Sequence, residues 1–109
     1  MFKYLNLSRL LRQIVEEGHQ LKTVIYQSTS LKKTEIPASY SLLSLVLNNY
    51  NELHEAQERI ASKSKLEISN KYLLMVMMAE YINKGKIVGG GKVKRALVDN
   101  LDLMPNINK

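Results

Sequence analysis

The stretch KGKIVGGGKVKR, residues 84–95, holds five basic residues, four glycines and no acid. Lys84, Lys86, Lys92, Lys94 and Arg95 could neutralise phosphates. Gly89, Gly90 and Gly91 carry no Cβ and would let a phosphodiester approach the backbone closely. A nucleotide P-loop does not fit. Gly85 and Gly90 have its separation, but Gly91 stands where that loop needs lysine, and Val93 follows Lys92 where a magnesium-binding hydroxyl is required. The dinucleotide fingerprint fails as well, because no strand precedes and no third glycine falls at the required offset. What remains is a glycine run that opens a helix. On a helical wheel Val93, Ala96, Leu97 and Leu101 share one face, with Lys92, Lys94 and Arg95 on the opposite arc. Free N–H groups in the first turn and the positive end of the helix dipole would join Lys84 and Lys86 in an anion clamp. The plain alternative is a basic joint, since lysine is favoured at a helix C-terminus and glycine commonly stops helices.

No other constellation points to chemistry. The chain has no cysteine, so it can supply no thiolate nucleophile, disulfide or Cys-type metal site. His19 and His54 lie far apart with no ligand pattern around them, which reads as ordinary surface histidine rather than metal binding. Glu16 and Glu17 are adjacent, so their side chains diverge on a helix and cannot form an acid/base pair; they read as a solvated edge. Met75, Met77 and Met78 lie in a helix apolar on nearly every side and read as core. The tyrosines are not interleaved with basic residues as a base-stacking surface would require. No catalytic residue and no metal ligand is assigned, and this segment by itself reads as non-catalytic.

The elements that position the basic segment are helical. Leu7, Leu10, Leu11, Ile14 and Val15 follow i, i+3, i+4, i+7, i+8, with Arg9, Arg12, Glu16 and Glu17 on the other faces and Gly18 as a stop. Leu21 to Tyr26 predicts a short helix, with strand as the competitor because of its β-branched residues. A helix starts near Pro37, and residues 39–62 are helical with a possible division at the poor helix formers NNYN, 48–51. Ser64 to Glu67 has capping-box spacing ahead of a buried central helix that runs through Tyr72 to Ala79. The reading is an all-α, compact bundle of six or seven short helices over residues 1–104, followed by a tail or linker at 105–109.

Length and charge set the outer bounds. The 109 residues suit one domain with a single modest core, and 16 Lys and Arg against 10 Asp and Glu give a net charge of +6. That surplus favours polyanionic partners or acidic membrane surfaces without choosing between them. The longest apolar run, Tyr72 to Ala79, is far short of the roughly 20 residues that span a bilayer, and the basic helix has too few bulky apolar residues to insert deeply, so no membrane partner is expected. The N-terminus lacks a secretory h-region and cleavage site, and an intracellular protein is expected.

Two blocks carry a resemblance: LKTVIY at 21–26 and, above all, YLLMVMMAEYINKGKIVGGGKVKRAL at 72–97. They resemble the N-terminal domain of the Nol/Nop/Sun family of RNA cytosine-5 methyltransferases, most closely the branch that modifies large-subunit ribosomal RNA. In that branch an apolar helix ending in an acid and leucines leads through a Lys/Gly turn and a glycine run into a basic helix. Glu80, Tyr81, Ile82, Lys84, Gly85, Gly89, Gly90, Gly91, Arg95, Ala96 and Leu97 match this order without a gap. Some relatives carry a fourth glycine and an aromatic where this chain has Lys92 and Lys94, so base stacking by the last helix does not carry over. The resemblance implies an all-helical, NusB-like RNA-binding domain placed before an S-adenosylmethionine-dependent catalytic domain that this chain does not contain. It also implies ribosomal RNA and that catalytic domain as partners, and a nuclear or nucleolar location. The competing function is a helical protein–protein interaction module that docks on the catalytic domain or on another protein without touching RNA.

Overall fold

Helices account for all the regular structure in the computed structural model, which describes residues 2–29, 31–89 and 91–107. They are α1 (Phe2–Glu17), α2 (Leu21–Gln27), α3 (Ile36–Asn48), α4 (Tyr50–Ser64), α5 (Lys71–Lys84) and α6 (Lys92–Asp99). Short 3-10 turns at Lys33–Glu35, Ile68–Asn70 and Leu101–Leu103 precede or follow them, and the described residues contain no strand. The all-α bundle read from the sequence is therefore what forms, with six helices. Its Cα radius of gyration is 13.0 Å. A single domain of about 100 residues has a radius of about 13 Å.

Local chemistry explains most boundaries. Gly18 ends α1 with φ +74, a left-handed conformation that costs glycine nothing. The Leu21–Tyr26 run is helix despite its β-branched residues, because Val24 and Ile25 are buried where α2 packs against α1 and α3. Pro37 lies in the first turn of α3, where its missing N–H has no helical partner to lose. The NNYN division is also real. Asn49 leaves helical geometry at φ −126, and its Nδ2 donates to the Leu45 carbonyl at 3.0 Å, which satisfies an end of α3.

The capping box read at Ser64–Glu67 does not form. Ser64 is the last residue of α4, and Lys65 adopts φ 54, ψ 44, so the Leu66 N–H turns back onto the Ala61 carbonyl at 2.9 Å. A left-handed residue closes one helix and cannot open the next. The Ser64 hydroxyl instead accepts from Asn100 Nδ2 at 3.2 Å, tying the end of α4 to the end of α6.

The core is built around α5. Every residue from Tyr72 to Glu80 is buried, and the helix touches α1, α3, α4 and α6. A helix apolar on all sides must be enclosed, and its four neighbours each present a stripe to it. Leu53, Ala56, Gln57 and Ile60 are buried on α4 at helical spacing; Val93, Ala96 and Leu97 are buried on α6. Met75, Met77 and Met78 are core, as the pattern predicts.

One buried group is at odds with its surroundings. Ser39 on α3 is fully buried, and its Oγ has no hydrogen-bond partner among the described residues. A hydroxyl buried in this way costs about 1–3 kcal/mol, and alanine is also the better helix former. Ser39→Ala should therefore raise stability by about 1 kcal/mol or more, seen as a higher urea midpoint at unchanged slope.

Candidate nucleic-acid interface

The basic segment begins where α5 leaves the core. Gly85 caps α5 at φ +73, and its N–H donates to the Tyr81 carbonyl at 2.7 Å. Lys84 and Lys86 are exposed on either side of it. Ile87 then packs against the core, and the chain crosses to α6 through Gly89 at φ +102 and Gly91 at φ +104. Gly90 lies outside the described residues, so the role read for it is not placed.

Gly91 precedes the first helical residue of α6, at ψ 175. That combination of angles is essentially restricted to glycine. It supplies no side-chain cap, and a Cβ at this position would meet nothing within 4 Å. Gly91 thus brings no side-chain oxygen to the first-turn N–H groups of α6. Among the described residues Arg95 N–H is the first to find a helical partner, the Gly91 carbonyl at 3.1 Å.

An open groove of about 680 Å³ runs along the length of α6, lined by Gly91, Lys92, Lys94, Arg95, Val98 and Asp99. It brings together four of the eight residues read as an anion clamp. Lys84, Lys86 and Gly89 do not line it, so the expected convergence of both helix ends on one concavity is only half realised. Lys94 departs from the expected arrangement in another way. It is half-buried rather than fully on the solvent arc, and its Nζ donates to the Gly89 carbonyl at 2.5 Å. One of its protons holds the glycine turn closed, leaving two for a ligand. Lys92 and Arg95 are exposed as expected.

Electrostatically the cations of the segment are unbridged, although Asp99 shares the α6 groove with Lys92, Lys94 and Arg95. Among the described residues the ion pairs are His19 with Glu17 at 3.9 Å and His54 with Glu58 at 3.0 Å, so no Lys or Arg is bridged to a carboxylate. The histidines are surface residues, and no group of three or more His, Asp or Glu among the described residues could hold a metal ion. No helix among them is long and apolar enough to cross a membrane.

No protein-family model, curated protein or solved structure matches this chain. The case for an interface therefore rests on geometry, charge and the residue pattern.

What fixes the glycine loop is a pair of residues the sequence reading did not assign to it. Tyr4 of α1 donates its hydroxyl proton to Glu80 Oε2 at 3.0 Å, and the Tyr4 hydroxyl oxygen accepts the Val88 N–H at 3.3 Å. Tyr4 and Glu80 are 3% and 5% exposed. A carboxylate buried in the central helix is thus satisfied by a tyrosine that also clamps the loop just before its glycines. Tyr4 and Glu80 are 76 positions apart, so no local pattern could reveal the pair. Glu16 is likewise more than a solvated edge, since it accepts the Tyr72 hydroxyl proton at 2.7 Å.

Two predictions follow from this chain of bonds. Tyr4→Phe leaves Glu80 and the Val88 N–H without their partner and should cost about 1–3 kcal/mol in urea denaturation, with faster amide exchange at Val88. Burial and then the Glu16 hydrogen bond push the Tyr72 phenol up; burial, with a further push from its Glu80 hydrogen bond, raises that of Tyr4. A phenol raised in the folded state lends stability that is intact below its unfolded pKa of about 10 and is lost as pH rises toward the folded value. The urea midpoint should therefore decline above about pH 10, less steeply in Tyr72→Phe.

Proposed function

We propose that this chain binds RNA through its phosphate backbone at the N-terminal end of α6, and that it positions ribosomal RNA for an S-adenosylmethionine-dependent cytosine-5 methyltransferase domain. The observation that carries the RNA reading is the uncapped first turn of α6. It is flanked by Lys92, Lys94 and Arg95, none bridged to a carboxylate among the described residues, and it is entered through Gly91, which offers no capping side chain. Free N–H donors, a dipole and cations at one place suit a phosphate oxygen. The methyltransferase context rests on the ordered match of residues 72–97 to the Nol/Nop/Sun pattern, and with it the NusB-like topology and a nucleolar setting.

A second reading draws on Val88 and Val98, 65% and 48% exposed, which bracket the basic cluster in sequence. Apolar residues beside cations would suit docking on a protein surface. Salt separates the two, because phosphate contacts release counterions and affinity then falls steeply as salt rises.

Anisotropy titration of a short single-stranded RNA over a salt series tests the proposal. Lys92→Ala and Arg95→Ala should each lower the salt slope by about one and weaken binding alike across sequences. Lys33→Ala and Lys63→Ala, exposed charges away from the loop, should change it little. Equal losses at all four positions would mean that RNA follows net charge, leaving residues 84–95 only a basic joint.

A further inference from the structure

A second concavity lies between α1 and α2, and none of the residues read as RNA-binding reaches it. Asn6, Arg9, Leu10 and Gln13 line it from α1, and Val24 and Gln27 from α2. The α1 positions follow i, i+3, i+4, i+7 and form one stripe; those on α2 are one turn apart. Two helical stripes thus face each other, joined at one end by the turn through Gly18 that carries His19. The volume is about 450 Å³. Small-molecule pockets run from about 300 to 1,000 Å³.

Its composition selects a ligand. Leu10 and Val24, 7% and 6% exposed, contribute the buried apolar side chains, one from each helix. Three carboxamides, Asn6, Gln13 and Gln27, offer paired donors and acceptors of the kind that read the edge of a nucleobase. The Asn6 side chain is 8% exposed and makes no hydrogen bond among the described residues, although it lines the cavity. Arg9 supplies a guanidinium, which suits phosphate oxygens in pairs. No carboxylate is among the lining residues; Glu17 stands outside, 3.9 Å from His19. An acidic peptide would want more cations and fewer amides. An apolar floor, amide edges and one guanidinium match a base with its phosphate.

We propose that the α1/α2 groove binds a single nucleotide unit, with the base edge read by Asn6, Gln13 and Gln27 and the phosphate held by Arg9. The unit is either a free mononucleotide or one residue of an RNA strand. The groove is separate from the α6 site, so its occupancy does not depend on the proposed function. Arg9 also cannot serve as an indifferent control charge for the α6 site.

The test is titration of the isotope-labelled chain with AMP, GMP, CMP and UMP, followed by nuclear magnetic resonance, with ribose 5-phosphate, inorganic phosphate and poly-glutamate as comparison arms. Saturable shifts should appear at the side-chain amides of Asn6, Gln13 and Gln27, differing among the four bases. Arg9→Ala should weaken binding by about tenfold, the loss of one such contact. Gln27→Ala should flatten the preference among bases. Both side chains are exposed, so the fold should survive their removal, as circular dichroism would confirm. Lys92→Ala and Arg95→Ala should leave mononucleotide binding unchanged, whatever they do to RNA. Displacement of the mononucleotide by a short RNA would assign the groove to a strand; failure to displace it would assign a free nucleotide. Binding of inorganic phosphate or ribose 5-phosphate as tight as that of any nucleotide would overturn the inference, as would stronger competition by poly-glutamate or the absence of saturable shifts.

Discussion

Burial of α5 on all sides is the constraint on which the rest of the structure depends. Nine consecutive side chains, Tyr72 to Glu80, lie out of solvent, so over that span no face of the helix meets water. Burying a large apolar side chain is worth about 1.5–3 kcal/mol, and that return is obtained here only if α1, α3, α4 and α6 close around the helix together. Their orientations are thereby coupled. A shift of one opens space beside another, and interiors packed this densely accommodate little of that. The glycine segment inherits its position from the same constraint, because it starts where α5 emerges and ends where α6 returns to cover it.

The single carboxylate within that buried run converts packing into positioning. Glu80 cannot lie in the interior without a hydrogen bond, and the one it receives comes from Tyr4, whose oxygen also holds the Val88 N–H. A polar requirement deep in the bundle thus reaches the surface in two steps. At the far side of the turn, Lys94 grips the Gly89 carbonyl. The chain is thus held at Val88 from α1 and at Gly89 from α6, just ahead of the α6 entry. This matters for binding, since a site already in place loses less conformational freedom when it captures a ligand.

How much of this the sequence discloses depends on the range of each interaction. The helices were legible because their signals are local: the spacing of Leu7, Leu10, Leu11 and Ile14, the stop at Gly18, the break at Asn49. The buried character of Met75, Met77 and Met78 was legible from the same periodicity. Ser64 misled because capping-box spacing also fits a helix that has just ended, and only the left-handed Lys65 tells the two apart. Lys94 was read as free because its partner is a backbone carbonyl five residues back, reachable only through a turn whose shape the glycines leave open. The Tyr4–Glu80–Val88 chain lay beyond local reading altogether. The α1 stripe of Asn6, Arg9 and Gln13 was different: its spacing was in plain view, but its meaning required the facing stripe on α2.

The most direct measurement is the backbone-amide map of the labelled chain on addition of a short RNA. If phosphate is received at the α6 entry, the N–H resonances of Gly91, Lys92, Val93 and Lys94 should shift together and saturate, with those of the α4 face unmoved. Amides at 91–94 that stay in place while RNA binds elsewhere on the chain would contradict an interface at the start of α6.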